Sequence, residues 1–164
     1  VRSYAKEQKL KKSPLSVNEV VTEAVKDFTS TLQDYPLQIE FEEDPRSPIC
    51  SLAPLEFELA VFNLLKNAKE ALKAQKADEP KVFIKISSGE THCFVDISDN
   101  GAVISDSDFE RMGSVFKSGK ASGLGIGLSI VRSIVQNHNG SLVLERGKNG
   151  GLVCRIRLPI LNAQ

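Results

Sequence analysis

The spacing of apolar residues along this chain alternates between a helical period and a strand period. After Ser16, apolar residues recur every three or four positions and Glu19 follows at the third, a pattern typical of a capped helix. Pro54 opens a longer run of the same period, and Asn139-Gly140 ends the last one. The sequence predicts helices over residues 17–32, 54–74, 106–112 and 126–138, and a loop that begins at residue 113.

Strict alternation of apolar and polar residues marks the predicted strands. Near the end of the chain, Cys154, Ile156 and Leu158 alternate with two arginines, so one face is buried and the other is wet. Such strands are typical of a largely antiparallel sheet with all helices on one side, and not of a doubly wound sheet buried on both faces. The predicted strands cover residues 37–41, 49–52, 81–87, 91–98, 141–146 and 152–158.

Composition and charge narrow the classes of function. The 164 residues suit one domain, and 21 basic against 21 acidic residues give no net charge, which argues against nucleic-acid binding. No apolar run approaches the ~20 residues of a membrane span, and no signal peptide is visible. Three widely spaced cysteines (Cys50, Cys93 and Cys154) match no metal pattern and favour core thiols in a reducing cytoplasm.

The beginning of the chain differs from the rest. Residues 1–13 are basic, contain little apolar material and end at Pro14. We expect a linker or the end of a preceding helix there, in a piece of a longer protein, and a single domain over residues 14–164.

A glycine-rich segment, residues 123–128, runs directly into the last predicted helix. Alternate glycines let a ligand approach the backbone amides, and a helix N-terminus adds unpaired N–H groups, so the segment favours a phosphate site. A tight turn or a glycine hinge is the alternative. A dinucleotide fingerprint needs a strand before the glycines, where this chain is polar and loop-like, and no Walker lysine motif is present.

Two asparagines share one face of the long predicted helix. Asn63 and Asn67 are four residues apart, and asparagine is a poor helix former. Amide oxygens suit Mg²⁺, which keeps water and phosphate as its other ligands. A hydrogen-bonded surface pair is the alternative. Glu70 continues the face, either to orient a metal-bound water or as a solvated carboxylate.

Asp99 and Gly101 follow a strand whose alternation places Asp99 on the buried face. A carboxylate there is costly unless it is paired. It is suited to accept the exocyclic amine of adenine, with Gly101 allowing close approach; a simple Asp-Asn-Gly turn is the alternative. In the loop before the glycines, Phe116, Lys117 and Lys120 suit a lid whose lysines reach phosphates, or else an ordinary solvated loop.

In this order and spacing, the four elements resemble the N, G1, F and G2 boxes of the ATP-binding catalytic domain of sensor histidine kinases. That superfamily also contains DNA gyrase and the mismatch-repair ATPases. The boxes correspond to residues 63–68, residues 99–101, Phe116 and residues 123–128, and the resemblance covers residues 15–160. It implies an α+β fold of the Bergerat type, a two-layer α/β sandwich with a mixed, mostly antiparallel sheet, helices on one face and ATP under a lid.

The resemblance also implies roles for individual residues. Asn67 would be the Mg²⁺ ligand, Asn63 would assist it, and Lys120 would act on the phosphates. Asn63 stands where the ATPases carry a glutamate that activates water, which favours phosphoryl transfer over hydrolysis. The implied nucleotide contacts are Asn63, Asn67, Glu70, Asp99, Gly101, Val103, Phe116, Lys117, Lys120, Gly123, Leu124, Gly125, Ile126, Gly127 and Leu128.

Two departures from the family pattern leave alternatives open. Val103 replaces a second glycine of the G1 box, which predicts a side chain crowding adenine. Neither His92 nor His138 suits an acceptor histidine. The expected partners are therefore a histidine-bearing dimerisation domain of the same protein and a response regulator. We expect this piece to be monomeric. We expect it to lie in the cytoplasm, either in a cytoplasmic protein or as the cytoplasmic part of a membrane-bound sensor. A degenerate scaffold and a small anti-sigma-factor-type serine kinase are the alternatives.

Overall fold

The computed structural model describes residues 11–118 and 125–161, with the backbone alone at 115–118 and 125–127. Within these ranges the secondary structure closely follows the predicted order. The helices are α1 (Val17–Thr29), α2 (Pro54–Ala74), α3 (Asp106–Ser118) and α4 (Gly125–Asn137). The strands are β1 (Ser13–Ser16), β2 (Gln38–Glu42), β3 (Ile49–Leu52), β4 (Lys81–Ser88), β5 (His92–Asp99), β6 (Ser141–Arg146) and β7 (Leu152–Pro159).

The main sheet has five strands in the order β2-β4-β5-β7-β6. Strands β2 and β4 are parallel, and the other three pairs are antiparallel. Strands β1 and β3 form a separate antiparallel pair. The predicted mixed, mostly antiparallel sheet is therefore confirmed.

One face of the main sheet packs against the hydrophobic core, and the other face is exposed to solvent. Val95, Ile97 and Ile156 on adjacent central strands are almost completely buried. On the opposite face, Arg155 holds Asp96 through two hydrogen bonds of 2.8 and 2.9 Å. The helices cover the apolar face because their own apolar stripes have no other surface to bury against, which produces the predicted two-layer sandwich.

Helix α2 is the centre of the helical layer, since it packs against both α1 and α4. Its N-terminal end is held by His138, just beyond α4, whose Nε2 accepts a hydrogen bond from the Ala53 amide at 3.0 Å. Phe28 and Phe62 meet edge to face between α1 and α2, with ring centroids 5.7 Å apart. These contacts fix the helix that carries the predicted asparagine pair.

Two predicted helix ends differ from the structure by three residues or more, and one strand was not predicted. Helix α3 continues to Ser118, so the loop predicted from residue 113 is helical up to that point. Helix α1 ends at Thr29, because the Ser30 hydroxyl donates to the carbonyl of Asp27 and competes with further helical bonds. The strand that was not predicted is β1, in which Ser13 pairs with Leu52 in the small sheet.

Candidate functional site

A cleft opens between helix α2 and the ends of strands β5 and β7. It encloses about 570 Å³ including its mouth, and its walls are mostly apolar. Ile104, Met112 and Leu128 line it from segments outside the sheet, and Cys154 lines it from β7. The polar side chains in its wall are Asn67, Gln75 and Asp99. A largely apolar cleft with a few convergent polar groups is the usual form of a small-molecule site.

Asp99 brings a buried carboxylate to this cleft. The residue is 9% exposed, and its Oδ1 accepts the Gly101 amide at 2.8 Å while Oδ2 accepts the Leu152 amide at 3.4 Å. Burial raises the pKa of Asp99 above its usual value, and the two amides only partly oppose that effect. A carboxylate so placed keeps lone pairs for a ligand that brings N–H donors.

Glycines let the backbone close tightly around Asp99. A Cβ at Gly101 would lie 2.7 Å from Asp99 Oδ1, so a side chain there would displace the carboxylate. Gly151 has a φ of +75°, and a Cβ there would lie 2.1 Å from the Asp99 carbonyl oxygen. Gly151 was not predicted as a site residue, although the adjacent glycines in Asn149-Gly150-Gly151 indicate a backbone that needs unusual freedom.

Asn67 is positioned by its place on α2, two turns before the cleft residue Gln75. Its Nδ2 atom is buried and has no hydrogen-bond partner among the residues that the structure describes. A buried N–H donor without a protein partner at a cleft is free to donate to an acceptor on a bound molecule. Asn63 donates to the Leu59 carbonyl at 2.9 Å, and neither Asn63 nor Glu70 lines the cleft.

The structure describes the glycine-rich segment only in part. Gly125, Ile126 and Gly127 form the first turn of α4 by their backbone, and Leu128 is buried in the cleft wall. The first turn of a helix leaves amides unpaired. Lys120, Gly123 and Leu124 lie outside the described residues. The backbone of Phe116 and Lys117 belongs to α3, and their side chains are not described.

Val103 does not line the cleft. Its side chain is 79% exposed, and Ile104, the next residue, occupies the wall instead. The side chain that was expected to crowd the base therefore lies in solvent. Among the described residues, no group of three or more His, Cys, Asp and Glu side chains could hold a metal ion.

The comparisons with known proteins agree with this geometry. The family described as "Histidine kinase-, DNA gyrase B-, and HSP90-like ATPase" matches residues 53–162, which include the cleft. The chain belongs to this ATPase family. The predicted family is confirmed.

Curated relatives of this ATPase domain are sensor proteins and kinases. The chain is 26% identical to the sensor protein FixL of Bradyrhizobium diazoefficiens over 97% of this chain and 31% of that protein. It is 26% identical to sporulation kinase B of Bacillus subtilis, over 94% of this chain and 35% of that protein. The chain thus spans about a third of the length of these relatives.

Solved structures share the fold of this ATPase domain. The nucleotide-free catalytic domain of the histidine kinase ThkA superimposes with a TM-score of 0.76 at 23% identity, covering 91% of this chain and 97% of that one. The ATP-binding domain of PrrB from Mycobacterium tuberculosis gives a TM-score of 0.71 at 24% identity, covering 93% and 99%. In the described part of the chain, no helix has both the length and the apolar character needed to cross a membrane.

Proposed function

We propose that this chain is the catalytic domain of a sensor histidine kinase. It binds Mg²⁺–ATP in the cleft and transfers the γ-phosphate to a histidine on a separate helical domain of the same protein, from which a response regulator receives it. The observation that carries the proposal is the meeting of the buried Asp99 carboxylate and the orphaned Asn67 amide in one cleft. The names of the relatives and the ATPase family support it.

The base would lie at the Asp99 end of the cleft. Adenine offers an exocyclic amine, which Asp99 can accept, whereas guanine presents a carbonyl oxygen at the same place and would be repelled. Ile97, Ile104 and Met112 provide apolar walls for the ring. Exclusion of water from such walls strengthens the hydrogen bond to the carboxylate.

The phosphates would lie toward Asn67 and the N-terminus of α4. Leu128 brings the first turn of α4 to the cleft, and its free amides and dipole suit anionic oxygens. The proposed phosphate contacts also include Asn63, Glu70, Lys117, Lys120 and the segment 123–128.

The protein side chains at this cleft could hold magnesium only together with a bound nucleotide. Asn67 offers one neutral amide oxygen, and Mg²⁺ is commonly held by one or two protein oxygens plus phosphate and water. When bound, the ion neutralises phosphate charge and orients the γ-phosphate for in-line attack. The chain's own residues hold the base and phosphates in place, while the incoming histidine supplies the nucleophile.

The test follows phosphate from ATP in the parent protein that contains this chain. Radioactive γ-phosphate should appear in the protein in a form that is stable to alkali and labile to acid, the signature of phosphohistidine. Asn67→Ala should reduce labelling on the order of 100-fold, because it removes the proposed magnesium ligand beside the reacting phosphate. Labelling that is stable to acid would contradict the proposal.

Calorimetry of the 164-residue chain separates the metal from the nucleotide. Asn67→Ala should bind ATP in the presence of EDTA as the wild type does but lose the gain in affinity that magnesium gives. Asn137→Ala, the same change at an exposed position on α4, is the matched control and should retain that gain. The noncatalytic scaffold gains no support from the geometry, since Val103, which suggested it, lies outside the cleft.

A further inference from the structure

Residues 99–102, here called the Asp99 turn, are held by hydrogen bonds at every position. The Asn100 amide donates to the Lys81 carbonyl at 3.1 Å, and its side chain accepts the Lys81 amide at 2.8 Å. The Gly101 amide donates to Asp99 Oδ1. The Ala102 carbonyl accepts the Gly151 amide at 2.9 Å. One backbone donor remains, the amide of Ala102.

That amide is held by a side chain from the opposite wall of the cleft. Gln75, the C-cap residue of α2, accepts it with Oε1 at 2.8 Å. Gln75 also lines the cleft, so its carboxamide joins the helix that carries Asn67 to the turn that carries Asp99.

The same glutamine contributes to the close packing around residue 101. A Cβ at Gly101 would lie 2.7 Å from Asp99 Oδ1 and 2.8 Å from Gln75 Oε1. Two oxygens, from the carboxylate and from the carboxamide, therefore converge on one glycine. Asp99 Oδ1 accepts the amide of Gly101, and Gln75 Oε1 accepts the amide of the next residue, Ala102. A shift of either side chain would therefore disturb the backbone that the other side chain holds.

We propose that Gln75 is a positioning residue for nucleobase recognition: its Oε1 fixes the Ala102 amide and thereby keeps the Asp99 carboxylate facing the cleft. This inference rests on the proposed function, in which Asp99 accepts the amine of adenine. Gln75 acts through the turn and needs no contact with the phosphates.

The solvent exposure of the Gln75–Ala102 hydrogen bond means that a positioning role can be distinguished from a role in folding stability. Gln75 and Ala102 are both exposed, so water can replace their hydrogen bond without leaving a buried donor unpaired. Loss of Gln75 Oε1 should therefore hardly change folding stability. Instead, the loss of Gln75 Oε1 should allow the Asp99 turn to adopt several conformations. The resulting loss of affinity should appear only for a ligand whose base binds Asp99.

The experiment compares Gln75→Leu with Gln75→Glu by calorimetry of the 164-residue chain with ATP, GTP and inorganic tripolyphosphate. Gln75→Leu keeps the size of the side chain but loses the acceptor, and should weaken ATP binding about tenfold. Tripolyphosphate and GTP binding should change less than about twofold, so the ATP-to-GTP preference falls. Gln75→Glu keeps an acceptor oxygen at the same reach and should restore most of the preference.

Gln136→Leu is the matched control, since Gln136 is exposed on α4 and does not line the cleft. Its ATP affinity and its ATP-to-GTP preference should equal those of the wild type. All variants should melt within a degree or two of the wild type without ligand. An unchanged preference in Gln75→Leu, an equal loss in Gln75→Glu, or parallel losses for ATP and tripolyphosphate would each overturn the inference. A wild-type chain that binds no ATP would instead overturn the proposed function.

Discussion

Asp99 and His138 are buried titratable residues at opposite ends of helix α2, and they differ in how fully they are hydrogen-bonded. His138 is 3% exposed, its Nε2 accepts the Ala53 amide, and its Nδ1 donates to the Ile134 carbonyl at 2.8 Å. Asp99 has one short and one long bond and faces a cleft. Burial alone therefore does not mark a functional group. Unused hydrogen-bonding capacity beside a cleft does.

Burial shifts the two pKa values in opposite directions. It raises the pKa of Asp99 and lowers that of His138, so the neutral form is favoured in both. For His138 the neutral ring is the form that its neighbours require. For Asp99 the charged form costs folding free energy but is the better acceptor for a ligand amine. The hydrogen bonds at the His138 end of α2 thus satisfy its buried ring, whereas the Asp99 end keeps a destabilising charge that the proposed binding of ATP would use.

The strongest test of this contrast is Asp99→Asn. The variant should lose ATP affinity by about 100-fold, because the site then presents an amide where the base needs an acceptor. Without ligand it should be at least as stable as the wild type. Because the folded-state pKa of Asp99 is raised above its ordinary value of 3.8, the wild type loses stability as pH rises from that value through the raised pKa, so the advantage of the variant should be larger at pH 8 than at pH 4. Calorimetry and thermal melting at both pH values measure these effects.

His138→Phe should give the opposite result. The ring still packs near Phe57, whose centroid lies 5.6 Å from that of His138, but the buried Ala53 amide loses its acceptor. We expect a loss of about 1–3 kcal/mol in the free energy of unfolding, with little change in ATP affinity per folded molecule. Urea titration measures the first quantity and calorimetry the second.

The pH dependence of His138→Phe sharpens the comparison. The folded-state pKa of His138 lies below its ordinary value of 6.5, so the unfolded wild type binds more protons as pH falls through that value. The wild type should therefore lose stability below about pH 6.5, and the variant should lose less over the same range. Equal slopes would show that the ring is not buried in its neutral form.

Val103→Gly should produce the smallest effect. The side chain is 79% exposed and outside the cleft, so restoring the family's glycine should change ATP affinity by less than about twofold. A large gain in affinity would show that the Val103 side chain does crowd the base.

The sequence predicted the fold well because its periodicity is clear. Helix α2 was predicted with its exact bounds, since Pro54 and the apolar period both mark it. The prediction failed at α3, where the helix continues through Gly113 and Ser114, two residues that favour a loop over a helix. It also failed at Ser13, because a short strand containing proline gives no alternation.

The candidate site was predicted less completely. Asn67 and Asp99 were found because their residue types are unusual where they stand, on a helix face and on a buried strand face. Gln75 and Gly151 were missed because their roles depend on contacts between segments far apart in the chain. Ile104 was not predicted for a simpler reason: spacing alone does not tell which of two adjacent side chains, Val103 or Ile104, lines the cleft.

Cys154 gives the cleft a chemical property of its own. Burial raises the pKa of this thiol to about 12, with Asp99 adding to the effect. At neutral pH almost none of the molecules would carry the thiolate that attacks electrophiles. Alkylating reagents and peroxide should therefore leave this cleft unmodified, and an inhibitor designed to bond covalently to its sulfur would find almost no nucleophile there.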